Sequence, residues 1–213
     1  MLRIAFAIVL CAVSSLPAQA TSRGNFREGY QALLRRDYDK AIDHLTRAID
    51  IGDLSRDNQA LAFHYRGALY LKQERNDEAI QDLDRALAIN PRLATAYSDR
   101  GIAHRRRGQY ELAIADYSEA IRLWPEWHDW YVHRGLAFSA LARHDEAIVD
   151  YGKALSLRPN LVSALVARGD AFLTKGENAN ARTDFRRAVA LDPNLTDNYP
   201  SVAEKLARLE ARP

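Results

Sequence analysis

The residues able to do chemistry are numerous, but their spacing excludes most chemistry. The 213 residues include six His, 28 Asp+Glu and a single Cys. There is no Gly-rich phosphate loop, no His-Glu-x-x-His pair and no nucleophile elbow. His44, His64, His104, His128, His133 and His144 lack metal-ligand spacing, and His128 and His133, five apart, fall on different faces of one helix. Cys11 sits inside the apolar run Ile4 to Val13 directly after Leu10, where neither thiolate catalysis nor lipid attachment fits. No catalytic, cofactor or metal residue is therefore expected. An active site would have to bring two or more acids or His residues together from distant segments.

Three other constellations remain. Arg66, Arg100, Arg134 and Arg168 recur every 34 residues, and sixteen residues after each stands Asp82, Asp116, Asp150 or Asp184. Glu28 and His44 hold the matching places in an earlier segment, so the acid has changed sides, as a contact between the two columns would permit. Such contacts are expected in every unit; two separate solvated columns, worth about 0–1 kcal/mol per pair, are the alternative. Arg105-Arg106-Arg107 offers a basic patch to an acidic partner, or simply suits the negative end of a helix. Trp124, Trp127 and Trp130 lie within seven positions. Trp127 shares a column with Leu93, Leu161 and Leu195 and is expected in the core. Trp124 stands in a polar column with Asn90, Arg158 and Asp192, either as a contact residue or as local packing over Pro125.

What must position these groups is a repeat. The period of 34 also links Gly67, Gly101, Gly135 and Gly169; Ala79, Ala113, Ala147 and Ala181; Ala86, Ala120, Ala154 and Ala188; and Pro91, Pro125, Pro159 and Pro193. A fainter copy holds Gly29, Ala41 and Ala48, offset by 38, which places about four extra residues (56–59) in the following connection. Each unit reads as two helices with three- and four-residue apolar spacing and a polar turn between them, and in the four later units a Pro closes the second. Gly108 and Gly176 suit left-handed turn positions, and Asn76 and Asn178 suit N-caps. The small columns allow two antiparallel helices to approach, beside the bulky column Leu83, Tyr117, Tyr151 and Phe185.

This arrangement resembles the tetratricopeptide repeat (TPR) over residues 22–195. The resemblance implies an all-α, right-handed α-solenoid of five helix-turn-helix units, 22–55, 60–93, 94–127, 128–161 and 162–195, with a C-terminal capping helix in 196–213. In that tail Ala203, Leu206 and Leu209 form the apolar side. It also implies that the first helix of each unit lines a concave groove that binds a protein or extended peptide. Matching columns place Phe26, Tyr30, Leu33, Leu61, His64, Tyr65, Ala68, Leu71, Ser98, Asp99, Ile102, Arg105 and Arg106 on that wall, followed by Asp129, Val132, His133, Leu136, Val166 and Asp170. The Lys, Asn and Arg set with which some members clamp a terminal carboxylate is missing, since Phe26, Tyr30, Ala68, Thr95 and Asp99 hold those places.

The ends and the charge complete the expectation. Arg3, the apolar run to Val13, Pro17 and Ala18-Gln19-Ala20 have the layout of a cleavable export signal, with cleavage after Ala20 and a periplasmic or secreted destination. The run is too short to span a bilayer. Cleavage would leave a chain without Cys, held by its core alone. Thirty Lys+Arg against 28 Asp+Glu give no global field for nucleic acid or anionic lipid. The expected function is a non-enzymatic exported scaffold. An envelope subunit that assembles through its convex face or its ends is the second expectation.

Overall fold

The computed structural model describes residues 21–211, and its regular structure there is helical. The expected leader and Cys11 lie outside the described residues. Five antiparallel pairs follow one another: α1 (Ser22–Leu34) with α2 (Tyr38–Ile51), α3 (Arg56–Lys72) with α4 (Asn76–Ile89), α5 (Ala94–Arg106) with α6 (Tyr110–Leu123), α7 (His128–Ala140) with α8 (His144–Leu157), and α9 (Val162–Thr174) with α10 (Asn178–Leu191). A single turn α11 (Leu195–Asn198) and helix α12 (Pro200–Glu210) close the end. Each pair packs on the next through its following first helix, giving a solenoid.

The small columns explain how closely the pairs approach. A Cβ added to Gly135 would stand 2.6 Å from Tyr151 Cε1, and one on Gly101 would stand 2.8 Å from Tyr117 Cε1. Tyr117, Tyr151, Phe185 and Leu83 are fully buried across the small residues opposite them. In the turn between the two helices of each unit, one residue is left-handed. Gly108 and Gly176 hold this place as expected, and Arg36, Glu74 and Ala142 adopt it at φ 61°, 61° and 57°. For these three the backbone strain is held by the helices on either side.

Two boundaries differ from the sequence reading. Residues 56–59 are not a linker: they add a turn to the start of α3, begun by the Ser55 side chain accepting from the Asn58 N–H, while left-handed Gly52 ends α2. Asn76 and Asn178 are first helical residues rather than caps, since Arg75 and Glu177 precede them without a side-chain capping bond. In the closing helix Val202 and Leu209 are buried, whereas Ala203 and Leu206 are only half-buried.

The two charged columns meet. Arg66 Nε donates to Asp82 Oδ2 at 2.7 Å and Nη2 to Oδ1 at 2.9 Å. Arg134 and Arg168 grip Asp150 and Asp184 in the same bidentate way, and Arg100 grips Asp116 at 2.6–3.3 Å. The Asp150 carboxylate pushes the Arg134 pKa up, against the effect of burial. The third guanidinium nitrogen reaches back into the preceding unit. Nη1 of Arg66, Arg100 and Arg134 donates to Thr46 Oγ1, Asp84 Oδ1 and Ser118 Oγ at 2.9, 2.6 and 2.9 Å. At the last seam the corresponding residue is Gly152, where an added Cβ would lie 3.7 Å from Arg168 Nη1. The expected Glu28–His44 contact does not form. An imidazole is shorter than a guanidinium, and His44 Nδ1 meets Asn25 Oδ1 at 3.2 Å while Glu28 lies 3.6 Å from Arg27.

Candidate binding groove

First helices of successive units touch one another, α1 with α3, α3 with α5, α5 with α7 and α7 with α9, whereas the second helices are spread further apart. The first helices therefore form the concave wall. Its N-terminal part is aromatic: Tyr65 lies between Tyr30, with ring centroids 5.5 Å apart, and Phe26, at 6.3 Å. Leu33, Leu61 and Ala68 are half-buried beside them. His64 and Leu71 are buried beneath the wall, as are Ser98 and Val132 farther along.

In the middle, His64 Nε2 and Asp99 Oδ2 join two units at 2.9 Å. The other ring nitrogen of His64 is buried and has no partner, so the ring presents no accessible base to a molecule in the groove. Ile102 and Arg105 are half-buried, and Arg106 is exposed but donates to the Leu71 carbonyl. Trp124 is 56% exposed and stacks on Trp130 with 6.4 Å between centroids; both line a small cavity of about 100 Å³ with Thr95, Ser98 and Asp99. Trp127 is not in the core but half-exposed at the rim of the same cavity. The cause is Trp130, which fills the interior place held by Ala62, Ala96 and Ala164 elsewhere and leaves Trp127 outside it, the two rings tilted by 36° with 6.0 Å between centroids.

The C-terminal part opens into a cavity of about 600 Å³. Leu136, Val166 and Asp170 line it, as the columns place them, together with Ser139, His144, Tyr151, Val162, Ala167 and Ala171. The closing segment supplies Leu195 and Tyr199, and Lys205 reaches in to bind Asp170 at 2.6 Å. The columns missed Tyr199, because it lies outside the period; its one signal was that it is the single aromatic residue of the tail. Asp129 and His133 stand between the middle and this cavity on α7. The wall thus offers apolar surface, hydroxyls, carboxylates and one guanidinium. Among the described residues no three His, Cys, Asp or Glu side chains are placed to hold a metal, and no helix is long and apolar enough to cross a membrane.

Two models of the tetratricopeptide repeat match this chain, one over residues 67–137 and one over residues 132–196. The chain is a tetratricopeptide-repeat protein. Among solved structures, the TPR array is similar to a MamA protein at 23% identity and a TM-score of 0.73, covering 86% of this chain and 97% of that one. It is also similar to MamA from Desulfovibrio magneticus RS-1, residues 41 to the end, at 18% identity and a TM-score of 0.74 over 81% and 96% of the two chains. A third is YrrB, described as a TPR protein with an unusual peptide-binding site, at 16% identity and a TM-score of 0.71 over 81% and 87%. At these identities the likeness is one of fold. Comparison with curated protein sequences gave no match.

Proposed function

We propose that this TPR protein is a non-catalytic, exported scaffold that holds an extended segment of another protein in the groove of its first helices. The observation that carries this reading is the apolar cavity of about 600 Å³ opening onto that groove beside exposed aromatic residues. A cavity of this size suits bulky side chains of a guest, and a wall already built by packed helices keeps the ordering cost on the scaffold side low. The peptide-binding site of YrrB, on the same fold, supports it. Export rests on the leader-like first twenty residues, with a bacterial envelope as the destination.

Immobilised protein should retain a partner from envelope extracts, and Tyr65→Glu with Ile102→Glu should release it while circular dichroism stays unchanged. Unaltered capture by that double variant rejects the groove. For export, the protein recovered from the periplasm should begin at Thr21; a cytoplasmic product still starting at Met1 rejects it. Val149, 70% exposed on α8, and Leu112, half-exposed on α6, favour a second reading, an envelope subunit docked through its convex side. Loss of capture with Val149→Lys, but not with the groove variants, would favour it.

A further inference from the structure

All three Trp residues of the chain meet at one place on the groove wall. Trp124 closes α6, Trp127 precedes α7 and Trp130 lies in the first turn of α7. Together they line the cavity of about 100 Å³ whose other residues are Thr95, Ser98 and Asp99 of α5. Trp130 is buried and braces the other two, which stay 56% and 50% exposed. The repeat does not call for indoles here, since other units hold Asn90, Arg158 and Asp192 in the place of Trp124. Two large rings left in water side by side are what a contact surface presents.

The polar side of the cavity is made of acceptors. Thr95, Ser98 and Asp99 are spaced three and four residues apart and share one face of α5. Asp99 Oδ2 is taken by His64 at 2.9 Å, whereas Oδ1 and the two hydroxyls make no hydrogen bond among the described residues. The Asp99 side chain is 26% exposed, so a molecule in the groove can reach it. Glu126 shares a second hollow with Trp124 and Trp127, and among the described residues no Lys or Arg lines either hollow. Elsewhere the chain sets cations over its own rings. Arg66, Arg100, Arg134 and Arg168 lie 5.6–5.9 Å from Phe or Tyr centroids, and Arg75 and Arg143 lie 4.3 and 4.6 Å from Tyr70 and Phe138. Indole attracts a cation most strongly of all, yet among the described residues no cation stands over a Trp.

We propose that this cavity receives an Arg side chain of the segment held in the groove, its guanidinium against the indole rings and its N–H groups donating to Asp99 Oδ1 and the Ser98 and Thr95 hydroxyls. The inference rests on the groove reading and names the chemistry of one residue of the guest. The volume suits it: about 100 Å³ is roughly the share of three waters in the liquid, room for a small planar head group. Arg fits better than Lys, whose compact ammonium is more strongly hydrated and does not stack on a ring. A fully methylated ammonium would bring no N–H to the carboxylate and the hydroxyls. The indoles thus attract the charge, and the acceptors of α5 select the fork that carries it.

The test uses synthetic decapeptides in a Ser/Ala/Leu background with one variable residue: Arg, citrulline, Lys or trimethyl-lysine. Binding to the purified protein is read by anisotropy of labelled peptides. Unlabelled ones are followed by tryptophan emission, which reports on this site alone because it holds every Trp of the chain. The Arg peptide should bind about tenfold tighter than its citrulline counterpart, which has nearly the same shape without the charge, and should shift the emission. Trp124→Leu, which keeps apolar bulk on an exposed position but removes the indole, should take away most of that preference without lowering the melting temperature. Asp99→Asn, which can still accept from His64, should do the same. Equal binding of Arg and citrulline, an Arg preference that survives Trp124→Leu, tighter binding of Lys or trimethyl-lysine, or no binding by any peptide overturns the Arg site. The groove reading is judged separately by capture from envelope extracts. Capture lost with Tyr65→Glu and Ile102→Glu keeps the groove even where the Arg site fails. Unaltered capture rejects the groove and, with it, the guest proposed for this cavity.

Discussion

Arg100 and Arg105 are five residues apart on α5 and live in opposite worlds. Arg100 makes bonds to Asp116 in its own unit and to Asp84 in the preceding one, so all its nitrogens are committed. Arg105 faces the groove with no carboxylate of its own. The same side chain on one helix thus serves as architecture on the side where units meet and as unspent capacity on the side where a guest would lie. An ionic column repeated every 34 residues belongs to the seams, and the cation that breaks the pairing marks the groove.

The contrast can be broken most forcefully at the seam. Asp116→Ala would leave Arg100 partly buried against one exposed acid. It should cost about 3 kcal/mol, the low end for a broken buried pair because the Arg100 side chain is 22% exposed. Urea unfolding measures this, and a loss below about 1 kcal/mol would reduce the seam to ordinary surface pairing. Gly135→Ala should follow, at about 1–3 kcal/mol, since the new methyl would meet the Tyr151 ring. The adjacent groove residue tolerates more: Leu136→Ala, 36% exposed, should cost about 1 kcal/mol or less. Gly152→Ser sharpens the comparison in the other direction. It removes a helix-interior Gly and offers Arg168 Nη1 the hydroxyl that Ser118 gives Arg134, for a gain of about 1 kcal/mol seen as a higher melting temperature. Smallest of all, Arg105→Gln should change stability by about 0.5 kcal/mol or less. A loss equal to that of Asp116→Ala would merge the two classes.

The seam was half legible in the sequence. Arg and Asp keep their types and their sixteen-residue spacing through four units, so their contact could be expected from the columns alone. The reach-back bonds could not, because Thr46, Asp84, Ser118 and Gly152 do not keep one residue type, being two hydroxyls, an acid and no side chain, and the added turn at residues 56–59 shifts the first spacing. Trp127 misled for a related reason: a column assumes that its neighbours stay the same size, and Trp130 in an Ala place evicts it. His64, Leu71, Ser98 and Val132 sit in groove columns, yet adjoining helices bury them. Arg105 and His133 were legible as wall residues. That Arg105 stands in no ion pair was not, since it depends on where the acids of three different helices turn.

The missing bond at Gly152 also decides how the array comes apart. Stacked units are coupled mainly to their neighbours, and opening starts where that coupling is weakest. Three seams carry a guanidinium rivet and the fourth does not, so α9 to α12 should exchange their amide hydrogens sooner than α3 to α8. The large cavity straddles this fourth seam, with Leu136 and Tyr151 on one side and Val166 and Tyr199 on the other. A guest lodged there would close the zipper at its loosest tooth, and slowed exchange in the last unit would register its arrival.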